Sequence, residues 1–304
     1  MNPGGGRGGH YSRLREVMEG VGRFVYRGGW AGRAWGAVPG RTTVSLIEHR
    51  LAILPSILPP ILPPLLPPPG PGGVERSLRV AFASDLHLGP ITPRELLDNA
   101  FALLAAARPD VLILGGDYVF LDATPAIADE LERRVAAVPA PVKLAVLGNH
   151  DLWTRNDVIE RALERAGARV LVNQAAFLPA PFDDVAVLGL DDPLTGQPDP
   201  EPALRQARGA ALMLGIVHSP EGLPLLAGRG PRLLLCGHTH GGQVALPSGP
   251  IIVHGKHGRR YPAGLFDVGD MQLFVSRGLG SVDLPFRVFA RPDVSVFTLV
   301  PVEV

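Results

Sequence analysis

From Ser77 onward, short apolar runs end abruptly in polar residues at Leu78–Ser84, Val111–Leu114, Val142–Leu147, Val185–Leu188, Ala211–Val217 and Arg232–Cys236. Runs without polar alternation predict strands buried on both faces. Between them, Pro93–Ala107, Pro125–Val138 and Asn156–Ala166 carry apolar residues at three- and four-residue spacing. That spacing puts them on one face of a helix. Strand and helix in alternation imply parallel pairing with crossover helices, an α/β class. After Arg232 the helical patterns thin out, and Gln272–Ser276 and Val294–Val300 predict further strands that close a second sheet.

The N-terminal quarter has a different pattern. Residues 1–40 are rich in Gly and Arg, and a Leu/Pro-rich tract occupies 54–72, so the α/β domain is placed at 41–304 with that tract inside it. Leu51 to Leu66 is almost wholly apolar, but Pro55, Pro59, Pro60, Pro63 and Pro64 each remove a backbone donor, which argues against a spanning helix. The start of the chain lacks the order of a secretory signal and has no twin arginine, so a cytoplasmic location is expected. Leu14, Val17, Met18, Val21, Phe24 and Val25 fall at helical spacing among Arg13, Arg15, Arg23 and Arg27. Such a basic amphipathic pattern fits an anionic membrane surface, which would put the chain at the inner face of the membrane. Gly20 and Gly22 weaken the helix, and disorder or an overextended start are the alternatives. If the segment does bind membrane, it and the Leu/Pro tract are expected to act together there.

Bulk composition narrows the chemistry. The 304 residues carry no formal net charge, so charge alone points to neither nucleic acid nor membrane, and the length suffices for a full core. A single cysteine, Cys236, excludes an intramolecular disulfide, a Cys-based zinc site and a redox pair. Any metal must be held by His, Asp, Glu or Asn. Cys236 itself reads as a small buried strand residue.

Five polar clusters follow the apolar runs in order. They are Asp85 and His87 in SDLH, Asp117 in GGD, Asn149 and His150 in GNHD, His218 in VHSP, and His238 and His240 in GHTH. In a parallel α/β sheet the carboxyl ends of neighbouring strands converge on one edge, where ligands collect. Taken singly, GNH can be a tight turn and GGD an N-capping turn. Taken together, five of the nine histidines lie in these clusters, each after an apolar run. A joint metal site accounts for that grouping better than coincidence.

The ordered set DLH, GGD, GNHD, VH and GHTH resembles the calcineurin-like metallophosphoesterase family. GGQ at 241–243, RRYPAGL at 259–265 and SRGLG at 276–280 are similar to its bacterial YaeI/YkuE-type branch. The resemblance implies a four-layer αββα sandwich of two mixed sheets. It implies two divalent transition-metal ions, one held by Asp85, His87, Asp117 and His240, the other by Asp117, Asn149, His218 and His238, with Asp117 bridging. Mixed carboxylate, imidazole and amide ligands suit borderline metals, manganese first, with iron, zinc, nickel or cobalt as alternatives. The resemblance assigns His150 to the leaving group as a general acid, and leaves Asp151 as either its support or a turn residue. It implies hydrolysis of a phosphodiester or pyrophosphate in a small-molecule or lipid substrate, such as UDP-diacylglucosamine. The alternatives are a non-catalytic scaffold of the same fold and a nuclease with the same centre.

Departures sharpen this expectation. In GDYVFLD at 116–122, Phe120 stands where the protein phosphatases of the family carry Asp, and no Arg follows, which disfavours a phosphoprotein substrate. No interleaving of aromatic and basic residues marks a nucleic-acid track, and no protein partner is indicated. Lys256, Arg259 and Arg260, with His254 and His257, form a basic loop that is either solvated surface or an anion-binding rim for the substrate. Asp191 and Asp192 are expected to begin a turn before Pro193.

Overall fold

The computed structural model describes residues 13–55 and 76–302. The chain runs through α1 (Arg13–Val25), α2 (Trp30–Gly36), β1 (Ser45–Leu54), β2 (Leu78–Ala83), α3 (Arg94–Ala106), β3 (Val111–Leu114), α4 (Pro125–Ala136), β4 (Val142–Ala145), α5 (Asn149–Trp153) and α6 (Asn156–Arg165). It continues through β5 (Ala168–Val170), β6 (Gln174–Phe177), β7 (Val185–Gly189), α7 (Pro200–Gln206), β8 (Leu212–Ile216), α8 (Leu223–Leu226) and β9 (Leu233–Cys236). A two-strand hairpin, β10 (Ala245–Leu246) and β11 (Gly249–Pro250), precedes α9 (Lys256–Arg260), β12 (Gly264–Val268), β13 (Met271–Val275) and β14 (Asp293–Pro301).

Two six-stranded sheets form the body, in the orders β1-β14-β2-β3-β4-β5 and β12-β13-β9-β8-β7-β6. β2 to β5 are mutually parallel, and so are β7, β8, β9 and β13. β14 runs antiparallel to β2, and β6 and β12 run antiparallel to their neighbours, so both sheets are mixed. Alternation along single strands builds the layers. Val80 and Phe82 join Ile216, Leu235, Phe274 and Phe297 between the sheets. Ala81 and Ala83 face the opposite way, into a core with Leu97, Leu104, Leu131 and Leu163 of α3, α4 and α6. Leu234 and Cys236 face a third core under α7 and α8, with Ala203 and Leu226. The result is helices, sheet, sheet, helices. Thr124 caps α4 through its hydroxyl and Asp199 caps α7 through its carboxylate, each with Pro as the first helical residue.

The expected second-sheet assignment of Val294–Val300 is wrong in one respect. β13 does join the second sheet, but β14 inserts into the first, between β1 and β2. Its inward residue Phe297 stacks on His49 of β1 and packs edge-on against Phe274 of β13. The C-terminal strand thus pins the first sheet to the second from the first sheet's side.

Residues 17–43 lie against the same body. Ala31 of α2 is buried with Ile91, Phe120 and Leu121, and Arg23 of α1 pairs with Asp122 at 2.9 Å. These contacts fall beyond the carboxyl ends of β2 and β3. The Leu/Pro tract from residue 56 lies outside the described residues, but the chain leaves at Pro55 and returns at Arg76, at the amino end of β2. There Arg76 donates to the Pro55 carbonyl at 3.3 Å and pairs with Asp184. The N-terminal helix and the two residues that flank the Leu/Pro tract therefore lie at opposite ends of the sandwich. Among the described residues no helix is long and apolar enough to cross a membrane.

Candidate metal centre

The carboxyl ends of β2, β3, β4, β8 and β9 open onto one edge, and each carries one of the predicted clusters. Asp85 and His87 follow β2, Asp117 follows β3, Asn149 and His150 begin α5 after β4, His218 follows β8, and His238 and His240 follow β9. Asp85, His87, Asp117, His238 and His240 all hold left-handed backbone conformations, with φ of 55°, 43°, 56°, 71° and 53°. Non-glycine residues rarely adopt these, and they persist only where the surroundings enforce them. Here the enforcement is explicit. Asp85 N–H donates to the Gly116 carbonyl at 2.9 Å, His87 N–H to the Asp117 carbonyl at 3.1 Å, and the Asp85 carbonyl accepts from Gly280 at 2.6 Å. The glycines beside the ligands are steric requirements. A Cβ on Gly148 would stand 2.2 Å from the Asp117 carboxylate, and one on Gly237 would stand 2.3 Å from that of Asp85.

The side chains converge in three overlapping groups: Asp85, His87 and His240; His87, Asp117 and His150; and Asp117, His218 and His238. Within each, the potential ligand atoms lie within 4.8 Å of one another. Asp117 Oδ2 sits 3.2 Å from His218 Nε2 and 3.6 Å from His87 Nε2. His240 Nε2 is 3.1 Å from His87 Nε2 and 3.4 Å from Asp85 Oδ1. All of these side chains are buried or nearly so. Lys256, Arg259 and Arg260 are exposed on α9, outside these groups.

The donor set fits metal ions on several counts. Asn149 Oδ1 and His218 Nε2 are buried without a hydrogen-bond partner, although buried polar atoms are normally satisfied. His218 Nδ1 lies 2.8 Å from the Gly115 carbonyl. Donating there leaves Nε2 as the ring nitrogen that faces Asp117, as in many metal-bound histidines. Burial pulls the pKa of His87 down to about 3 and that of His238 down to about 4, so both present neutral, ligating imidazoles. Burial also pulls on His218, but the adjacent charge of Asp117 more than reverses it and raises His218 well above its usual value. A cation entering there would displace that proton. Burial pushes Asp117 up, yet His218 and His150 outweigh it and hold the carboxyl well below the usual range.

Two residues support this edge in ways the sequence did not decide. Asp151 is fully buried. Its Oδ2 accepts from the backbone of Asp117 and Gly148 at 2.8 and 2.9 Å, and its Oδ1 from Tyr118 at 2.8 Å. It ties the GGD turn to the GNHD turn, so of its two readings the structure favours support over a bare turn residue. Arg287 went unnoticed, since nothing in LPFRVFARPD marks it. Its guanidinium is buried, donates to the carbonyls of Gly280, Arg277 and Ala290, and reaches His240 Nδ1 at 2.8 Å. That last contact requires a lone pair on Nδ1 and hence the proton on Nε2. Ligation of a cation through Nε2 therefore requires His240 to give up this arrangement.

A model of the family described as calcineurin-like phosphoesterase matches residues 78–242. The chain belongs to the calcineurin-like phosphoesterases. It is 34% identical over 228 residues to the phosphodiesterase YaeI of Escherichia coli (strain K12), covering 73% of this chain and 82% of that one. It is 31% identical over 226 residues to the uncharacterized metallophosphoesterase YkuE of Bacillus subtilis (strain 168), covering 71% and 77%. Haemophilus influenzae NAD nucleotidase, a solved structure, aligns with a TM-score of 0.45 and 15% identity over 67% of this chain and 45% of that chain. The chain is thus a metal-dependent phosphoesterase, with His and Asp groups at its sheet edge that could hold metal ions.

The remaining expectations can be placed. Cys236 is buried in β9 and burial pushes its thiol well up, consistent with a packing role. Asp192 does build a turn, its Oδ2 accepting from Leu194 and Thr195 at 3.1 and 2.7 Å. The basic loop becomes the short helix α9, held beside the His218 loop by Glu221. That carboxylate accepts from the backbone of His257 and Gly258 at 2.7 and 3.0 Å.

Proposed function

We propose that this phosphoesterase uses two divalent metal ions to hydrolyse a phosphodiester or pyrophosphate bond in a lipid-linked or nucleotide-linked substrate. The observation that carries the reading is the position of Asp117, whose Oδ2 lies between His218 on one side and His87 on the other. An anionic bridge is what two close dications require. Asp85, His87, Asp117 and His240 would hold one ion, and Asp117, Asn149, His218 and His238 the other, with manganese the first candidate. Ions bound there would lower the pKa of a water near phosphorus and neutralise charge on the phosphoryl oxygens.

The chain's own residues supply the rest. His150 is anchored through its backbone N–H to Asp117 Oδ1 at 2.8 Å, and its ring packs against Trp153 and His87. We assign it to the leaving oxygen, as proton donor or as a charge stabiliser. Lys256, Arg259 and Arg260 stand exposed on a helix tethered to the loop of His218, and we assign them to the anionic part of the substrate. YaeI carries the printed name phosphodiesterase, which favours a diester over a monoester here. UDP-diacylglucosamine combines a pyrophosphate, a nucleotide and a lipid, and is the specific substrate to try first.

A manganese-loaded panel of a generic phosphodiester, a phosphomonoester, a cyclic nucleotide and UDP-diacylglucosamine tests the reading. Turnover is expected on the diester or pyrophosphate and not on the monoester. Elemental analysis should find more than one metal equivalent per chain. Asp117→Asn, which removes the bridging charge, should cost metal at both sites. Full metal content and full activity in that variant would refute the two-metal centre.

A further inference from the structure

α1 sits on the protein with its faces reversed. Glu19 is 5% exposed and Gly22 faces Leu121, whereas Val17 is 62% exposed, Phe24 81%, and Met18, Val21 and Val25 are exposed as well. A surface helix ordinarily turns its apolar stripe inward. This one lies on its small and polar side and offers the apolar stripe outward, held by Arg23 to Asp122 and by the Tyr26 hydroxyl to the Asp283 carbonyl at 2.7 Å.

Further exposed apolar residues lie on loops that adjoin the metal centre. Tyr26 leads to the 282–286 loop, where Leu284 is exposed. Gln243, three residues past His240, binds the carbonyls of Val282 and Leu284 at 2.9 and 3.1 Å and so joins that loop to the β10–β11 hairpin. Leu246, Ile251 and Ile252 are exposed on and just after the hairpin. Helix, loop and hairpin, each with exposed apolar residues, are thus joined by hydrogen bonds into a collar. Isolated exposed apolar residues need no explanation, but a linked set of this kind marks an interaction surface.

Charge selects the occupant. Residues 13–41 contain six arginines and two glutamates, a net of four positive charges, and one of those glutamates, Glu19, is buried. Arg27, Arg33 and Arg41 are exposed beside the collar, as are Lys256, Arg259 and Arg260. A second copy would bring like charge against like. Residues 1–12, MNPGGGRGGHYS, hold few apolar side chains to match such a stripe. Pro55 and Arg76, which flank the Leu/Pro tract, lie at the far end of the sandwich. A bilayer with anionic headgroups satisfies both the apolar stripe and the arginines.

We propose that α1 and the collar dock on an anionic bilayer, the helix lying in the headgroup plane, so that the mouth of the metal centre faces lipid phosphates. The proposal takes from the functional reading only the position of the centre, and its failure is separable from that reading. Sedimentation of the full chain with equimolar phosphatidylglycerol and phosphatidylcholine vesicles should show binding that weakens with added salt and is much weaker on phosphatidylcholine alone. Phe24→Ser should weaken binding about tenfold, as removal of one inserted aromatic side chain does. Phe24→Leu should largely restore it, and Arg27→Glu should weaken binding to the anionic vesicles alone. Hydrolysis of a water-soluble nitrophenyl diester and the thermal midpoint should be unchanged in all three variants, since neither residue touches the centre. A chain that sediments with anionic vesicles yet hydrolyses nothing would keep the docking and remove the functional reading. Equal vesicle binding with and without Phe24 would overturn the docking proposal. So would a wild-type dimer that ignores vesicles and becomes a monomer on Phe24→Ser.

Discussion

The side chains on the metal-bearing edge divide into those that would touch the ions or substrate and those that hold the touching atoms in place, and the two classes should fail differently. His150→Ala removes a ring that faces the centre while leaving the Asn149 carbonyl oxygen and Asp117 in position. Metal content should survive and turnover on a poor leaving group should fall about a hundredfold, in the range of general-acid catalysis. With a nitrophenolate leaving group the loss should shrink, and equal losses on both would remove the acid role. Asp151→Asn acts through the backbone instead. It sets an amide N–H₂ where backbone N–H groups of Asp117 and Gly148, or of Tyr118, now point at a carboxylate. Facing donor against donor in a fully buried place should destabilise the fold by about 3 kcal/mol, measured by denaturant unfolding. The ligand residue types were legible in the sequence because each stands directly after an apolar run. Arg287 was not, since its role rests on carbonyls contributed by Arg277, Gly280 and Ala290 that only the folded loop assembles.

The strands and helices that carry the centre followed closely from local pattern: β3 coincides with Val111–Leu114, and α3, α4 and α6 fall within their predicted segments. What local pattern cannot carry is the order of strands in a sheet. Val294–Val300 is equally apolar in either sheet, and its place between β1 and β2 is decided by pairing across more than two hundred residues of chain. Short edge strands such as β5 and β6 were missed for a related reason, since ARV and QAAF each carry a polar residue and form no apolar run of the kind that marked β3. At this scale α9 makes a pH prediction. Burial pushes the Glu221 carboxyl up, but the Gly258 and His257 donors outweigh it and hold its pKa below the ordinary 4.5. A depressed acid contributes its stability above the unfolded value and loses it as pH falls through the folded one. The protection factors of the His257 and Gly258 amides, taken relative to intrinsic exchange at each pH, should therefore be high near neutrality and fall as the Glu221 carboxylate is protonated in acid. Glu221→Gln should show low protection throughout, and a protection factor that does not change with pH in the wild type would remove the tether.

For the whole molecule, the two ends of the sandwich have separate duties, since every cluster of the centre opens at the carboxyl edge and Pro55 and Arg76 meet at the other. The carbonyl of one and the guanidinium of the other are 3.3 Å apart, so the twenty residues between them close a ring whose ends the fold already holds together. The entropy of closing such a ring changes by only about 0.6 kcal/mol for each doubling of its length. Residues 57–74 should accordingly be replaceable by a short Gly/Ser linker with a shift in thermal midpoint of no more than about 3 °C and undiminished diester hydrolysis. The same gap should accept a whole inserted domain, giving a port for a fluorophore or an affinity module on the side of the enzyme that faces away from its substrate.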